Sequence, residues 1–102
     1  MQKTYLGKQL EVDENGHLVN PEDWSKEIAS AIAKDMGIEL TDKHWELIEY
    51  LRKEAENNES MSIRKVGKSG IVTIKEFYNL FPRGPLKNAS KIAGLPKPES
   101  CL

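Results

Sequence analysis

Glycine and proline punctuate this sequence at Gly7, Gly16, Pro21, Gly37, Gly67, Gly70, Pro82, Gly84, Pro85 and Gly94, and between most of these marks apolar residues recur at helical spacing. A proline or a left-handed glycine ends a helix, so no long rod or continuous sheet can run through them. The chain has to fold as short elements packed on one another. With 102 residues, 38% of them hydrophobic, it has enough apolar surface for one core and too little for two.

Residues 2–19 read as short strands, Thr4-Tyr5-Leu6, Leu10-Glu11-Val12 and His17-Leu18-Val19. Gly7-Lys8 makes the first turn and Asp13-Glu14-Asn15-Gly16 the second, Asn-Gly being a strong hairpin signal. Asn20 then caps a helix that Pro21 opens, with Trp24, Ile28, Ile32 and Met36 as one apolar stripe and Ala29, Ala31 and Ala33 beside it for close packing. Gly37 closes that helix. Thr41 caps a second, whose stripe of Trp45, Ile48, Leu51 and Ala55, flanked by His44 and Leu47, faces the core. Ser60 or Ser62 starts a short third helix through Ile63 and Val66 that stops near Gly67 and Gly70.

Thr73-Ile74-Lys75-Glu76 has the spacing of a capping box, so a fourth helix runs to Phe81 with Ile74, Phe77, Leu80 and Phe81 as its apolar residues. Pro85 opens a fifth, with Leu86, Ala89, Ile92 and Ala93 on one face and Gly94 as its stop. Leu95-Pro96-Lys97-Pro98 favours extended polyproline geometry. The expected fold class is α+β and mostly helical. A small amino-terminal antiparallel hairpin or meander (1–19) packs on a body of about five helices (20–94), and an extended, proline-containing arm (95–102) projects from this single domain.

The chemical candidates thin out quickly. His17 and His44 lack a second ligand at a useful spacing, so structural or surface roles fit them and no metal site is expected. Trp24 and Trp45 sit at helical core spacing, which packing explains without a cofactor. The glycines do not form a phosphate-cradling loop, and acidic residues are too numerous for any pair to stand out as acid and base. Nothing approaches eighteen consecutive apolar residues, and the start Met1-Gln2-Lys3-Thr4-Tyr5 lacks the apolar stretch of a secretory signal, so a cytoplasmic location is expected and a membrane one is not.

Charge is unevenly distributed. Residues 1–60 hold 7 Lys/Arg against 14 Asp/Glu and residues 61–102 hold 8 against 2, giving formal charges of −7 and +6. Either the two halves complement each other within one fold, or the second half presents a basic docking surface. Bases would need aromatic residues interleaved with the basic ones, and these are missing, so direct RNA binding is the weaker alternative. The single cysteine, Cys101, is the next-to-last residue of the sequence and has no internal partner for a disulfide. Glu99 and the terminal carboxylate oppose its ionisation, so activation would have to come from Arg83, Lys87, Lys91 or Lys97, or from a partner's pocket. The residues alone leave two readings open, a reagent thiol or a tail cysteine with no role.

Leu80-Phe81-Pro82-Arg83-Gly84-Pro85, followed by Lys91-Ile92-Ala93-Gly94-Leu95-Pro96-Lys97-Pro98 and the penultimate Cys101, closely resembles the carboxy-terminal signature of the DsrC/TusE sulfur-carrier family. Asp13, Gly16, Leu18, Trp24, Gly37-Ile38, Leu40-Thr41, His44-Trp45, Ile48, Leu51-Arg52 and Ile63-Arg64 look like the same pattern, so nearly the whole chain is covered. The resemblance implies a protein that takes sulfane sulfur as a persulfide on Cys101 and hands it to a partner. It would act as a sulfurtransferase-type co-substrate without a cofactor, with Gly94, Pro96 and Pro98 shaping the arm and Arg83, Lys87, Lys91 and Lys97 binding partners or activating the thiol.

The DsrC branch, linked to dissimilatory sulfite reductase, carries a second cysteine eleven positions earlier, where this chain has Ser90. A serine oxygen cannot hold sulfane sulfur, so the single-cysteine TusE branch is the better match. Its implied partners are a TusBCD-like donor complex and a tRNA 2-thiouridylase-like acceptor. Three features depart from that pattern: a shorter Glu56–Val72 segment, Met61-Ser62 where a proline is common, and Glu99-Ser100 before the cysteine. Association with sulfite reductase or another sulfur-oxidation complex, and a non-catalytic interaction module, are the alternatives.

Overall fold

The computed structural model describes residues 1–57, 59 and 61–96. Strands β1 (Gln2–Tyr5) and β2 (Lys8–Glu11) form a two-stranded antiparallel hairpin in which Gln2 faces Glu11 and Tyr5 faces Lys8. Its two-residue turn is Leu6-Gly7, both at positive φ (53° and 77°), one position earlier than the Gly7-Lys8 turn expected from sequence. The expected third strand is reduced to a single bridge between Val12 and Leu18 across the Asp13–Gly16 turn. That turn is held locally: the Asp13 carboxylate accepts from the Asn15 and His17 amides at 2.8 and 3.0 Å.

The first helix starts later than its sequence signal. Pro21–Asp23 makes one 3₁₀ turn, and Trp24 follows in extended backbone (φ −77°, ψ 144°). Helix α1 (Lys26–Asp35) begins after Ser25, whose hydroxyl accepts from the Ile28 amide at 3.2 Å. Asn20 makes no such side-chain bond, and Ser25 is the true cap. Trp24 therefore lies outside the stripe assigned to it and is free to point elsewhere. Ile28 and Ile32 are buried as expected, while Met36 caps the helix and is only half-buried.

Helix α2 (Asp42–Glu56) has Thr41 as its cap. The Thr41 amide donates to His44 Nδ1 at 3.1 Å, so Nε2 carries the ring proton and donates to the Leu80 carbonyl at 2.9 Å. His44 is thus structural, and it also meets Phe81 edge-on with ring centroids 5.0 Å apart. The buried face of α2 is His44, Leu47, Ile48 and Leu51. Trp45 and Ala55, expected in the core, are half-buried at its margin. Helix α3 (Ile63–Lys68) is capped by Ser62 and runs through Gly67, where the Ile74 side chain leaves no space for a Cβ. Ser60 lies outside the described residues.

Helix α4 (Ile74–Leu80) shows the full capping box, Thr73 Oγ1 accepting from the Glu76 amide and the Glu76 carboxylate from the Thr73 amide. Phe77 and Phe81 are buried, while Ile74 stays exposed across Gly67. Helix α5 (Pro85–Ile92) packs against α1, α2 and α4. Leu86, Ala89, Ile92 and Ala93 are all inaccessible to solvent, which makes α5 the helix on which α1, α2 and α4 converge, while α3 packs on α4.

Candidate functional site at the root of the arm

Helix α5 ends in a Schellman turn. Gly94 takes φ 72°, the Gly94 amide donates to the Lys91 carbonyl at 3.2 Å, and the Leu95 amide donates to the Ser90 carbonyl at 2.9 Å. Every helix end leaves carbonyls without intrahelical donors. Here the carbonyls of Ile92 and Ala93, and that of Leu95 just beyond the turn, are taken by three side chains from three separate parts of the fold. Trp24 Nε1 donates to the Ile92 carbonyl at 2.8 Å, Arg52 Nη1 to the Ala93 carbonyl at 2.7 Å, and His17 Nδ1 to the Leu95 carbonyl at 3.0 Å.

Each donor has a local reason to be there. The 3₁₀ turn and the extended Trp24 backbone send the indole across the end of α5, and a Cβ on Gly94 would sit 2.7 Å from the indole Cγ. Gly94 is therefore required twice, for its φ and for this contact. Arg52, late on α2, lays its guanidinium 4.0 Å from the Trp24 ring centroid and places a cation at the negative end of the α5 dipole. Burial lowers the Arg52 pKa and Glu56 opposes that loss. A cavity of about 350 Å³ opens beside the clamp, lined by Pro21, Arg52, Ala55, Glu56, Leu95 and Pro96.

His17 is wholly inaccessible. Because Nδ1 donates to Leu95, the neutral ring leaves Nε2 as an acceptor, and this atom has no hydrogen-bond partner among the described residues. Burial lowers the His17 pKa. The Leu95 carbonyl and Asp13 pull it up, and Lys91 and Lys87 push it down.

The basic residues singled out from sequence do not form one group. Lys87 and Lys91 lie one turn apart on α5, and Lys91 is drawn over the Gly16 turn. Burial, then repulsion from Lys3 and Lys87, lowers the Lys91 pKa against the pull of Asp35 and Asp13. Lys3 itself pairs with Asp35 at 2.7 Å. Arg83 stands at the other end of α5, at positive φ (65°), beside a second cavity of about 640 Å³ with Met36, Gly37, Ile38, Pro82 and Asn88. Eight helical residues, about 12 Å, separate it from the arm root. Pro96 is exposed. Cys101, Lys97 and Pro98 lie outside the described residues.

On sequence grounds His17 was assigned a structural or surface role and Trp24 a packing role, and Arg52 entered only through the family resemblance. The orphan carbonyls behind Gly94 signal that donors are needed, but nothing in a linear sequence says which distant side chains supply them. Among the described residues, no three His, Cys, Asp or Glu side chains converge as metal ligands, and no helix is long and apolar enough to cross a membrane.

Comparison with known proteins agrees with the overall fold. The family model described as DsrC like protein matches residues 4–102. Sulfurtransferase TusE of Photorhabdus laumondii subsp. laumondii is 42% identical over 96% of both chains, and Sulfurtransferase TusE of Escherichia coli K12 is 40% identical over 96% of this chain and 97% of its own. Among solved structures, the oxidized gamma-subunit of dissimilatory sulfite reductase (DsrC) from Archaeoglobus fulgidus superimposes with a TM-score of 0.83 at 38% identity, and Allochromatium vinosum DsrC with 0.82 at 40%, each over the full length of both chains.

Proposed function

This chain belongs to the DsrC-like protein family, and from that premise we propose that it is a sulfur-relay protein that carries sulfane sulfur as a persulfide on Cys101. The observation that carries the reading is full-length similarity of about 40% to proteins named Sulfurtransferase TusE, joined to the presence of one cysteine in the whole sequence. In the transfer step the Cys101 thiolate attacks the terminal sulfur of a donor persulfide. A new Cys101 S–S bond forms, the donor S–S bond breaks, and the donor leaves as a thiolate that takes up the proton Cys101 lost. No net oxidation occurs, so no cofactor is required. The protein acts as a co-substrate of its partners, in a reducing, cytoplasmic compartment where the thiol stays available.

The partners we assign are a TusBCD-like donor complex and a tRNA 2-thiouridylase-like acceptor. Arg83, Lys87, Lys91 and Lys97 contribute docking charge. The whole of residues 1–102 acts as one unit, with Gly94, Pro96 and Pro98 shaping the arm. Incubation with inorganic polysulfide and measurement of intact mass should show one added sulfur atom, absent in Cys101→Ser; an unchanged wild-type mass defeats the reading.

A second reading, association with a sulfite reductase, draws support from the solved structures of DsrC that the chain resembles. Ser90 weighs against it as a two-thiol cycle, since the position where that branch holds its second cysteine has no sulfur and is nearly inaccessible here. Co-purification of a sulfite reductase from native cells would favour this second partner.

A further inference from the structure

We infer that Trp24, Arg52 and His17 are positioning residues for Cys101: together they hold the backbone from Ile92 to Leu95 in one conformation and so set the direction in which the thiol-bearing arm leaves the body. The inference rests on the carrier reading for what the arm delivers. It rests on the structure for how the arm is aimed.

The Schellman turn alone satisfies the Ser90 and Lys91 carbonyls and would leave the next ones to water. Instead the Ile92, Ala93 and Leu95 carbonyls each receive one side-chain donor, at 2.8, 2.7 and 3.0 Å, from the Trp24 segment, from α2 and from the Asp13–His17 turn. Donors converging from three directions constrain rotation about the Gly94 and Leu95 backbone in a way one donor cannot. Gly94 would otherwise be the freest joint in the segment, but its open side is filled by the Trp24 indole. Arg52 locks that indole in turn by stacking on it.

Geometry shows why such a clamp matters to a carrier. Five residues take the chain from Pro96 to Cys101, and five residues span at most about 17 Å. A swing of about 30° at the root then moves the far end by as much as about 9 Å. Sulfur transfer needs the reacting atoms to approach within about 3.5 Å in line, so a loose root would spread the thiol over far more volume than a partner's pocket can accept.

The lone cysteine allows a direct test, because a nitroxide methanethiosulfonate attaches only at Cys101. Paramagnetic broadening of the body's amide signals should fall on one face in the labelled wild type. In Arg52→Met, which keeps the stem and loses the donor, it should spread to other faces while the positions of body signals away from the clamp stay unchanged. Arg52→Lys, which restores a donor and a charge, should recover much of the one-sided pattern. Exchange of the Leu95 amide should rise roughly tenfold in Arg52→Met, as loss of one hydrogen bond to a charged group implies.

If Arg52→Met does not fold, Trp24→Phe supplies the comparison: it removes the indole N–H together with part of the ring and leaves an aromatic face under Arg52. Broadening already spread over the whole wild-type surface, or identical patterns in wild type and variant, overturns the inference. Unlabelled Arg52→Met should load sulfur from inorganic polysulfide as fast as wild type, because a small reagent needs no aimed arm. Failure of the wild type to load defeats the carrier reading and leaves the positioning result standing.

Discussion

Helices α1 and α5 end in the same local structure and in opposite surroundings. After α1, Gly37 takes φ 75°, its amide donates to the Lys34 carbonyl at 3.1 Å, and the Ile38 amide donates to the Ala33 carbonyl at 2.8 Å. After α5, Gly94 takes φ 72° with the same two bonds to Lys91 and Ser90. Yet a Cβ added at Gly37 would meet nothing within 4 Å, while at Gly94 it would enter the Trp24 indole. The first is a stop signal facing solvent. The second is a stop signal built into a clamp, and the chain beyond it carries the thiol. Local code ends a helix; only neighbours decide whether that end is also held.

The sharpest way to break the comparison is to give both glycines a methyl group. Gly94→Ala meets the left-handed backbone penalty and the collision with Trp24 together, a loss of roughly 3 kcal/mol in denaturant-measured stability. Arg52→Met comes next, at about 2 kcal/mol, for one hydrogen bond from a charged donor and the stacking on Trp24. Gly37→Ala meets the backbone penalty alone and should cost about 1 kcal/mol. Equal losses at the two glycines would mean that the indole contact does not constrain the α5 end.

The last test is of direction only. His17 is held below its ordinary pKa chiefly by burial, so the folded ring resists a proton that the unfolded chain accepts. Its contribution is therefore fully present above the unfolded value of about 6.5 and is lost as pH falls through the lower folded value. Asp13, whose ordinary value is lower, begins to respond at more acidic pH. Burial raises its pKa, but hydrogen bonds from the His17 and Asn15 amides outweigh that and hold it below the usual range, so its contribution is lost only as pH falls through that depressed value. Stability measured against pH should decline first in the histidine window, and His17→Gln should remove that first decline. Loosening of the arm root, read from the Cys101 label, should follow the same window, whereas the exposed α1 end carries Asp35, held low by its hydrogen bond from Lys3, and should respond only at more acidic pH.

Much of the fold was legible because its signals are local. Thr41, Thr73, Gly37 and Gly94 mark helix ends through bonds to nearby residues, Pro85 marks one through its fixed φ and missing N–H, and each stands where its chemistry predicts. Trp24 was misread because two caps compete five positions apart. Asn20-Pro21 has the stronger sequence signature, but Ser25 makes the bond, and the interval becomes a 3₁₀ turn. Trp45 and Ala55 were misread because helical spacing identifies a face and cannot say how far the neighbouring helices cover it. The arm's thiol stands apart from these: Cys101 is the one cysteine in the sequence, so the proposed carrier role has a single residue to rest on.

What sequence by itself determined, then, is where the helices stop, which faces are apolar, which family the chain resembles and which residue holds the one thiol, since each depends on neighbours along the chain or on a residue being unique. The tertiary structure alone decided that Trp24, Arg52 and His17 meet at the end of α5, because their partners are carbonyls 68, 41 and 78 positions away. A backbone carbonyl is the same in every residue, so no side-chain pattern marks it in advance. Packing brings the three donors to it.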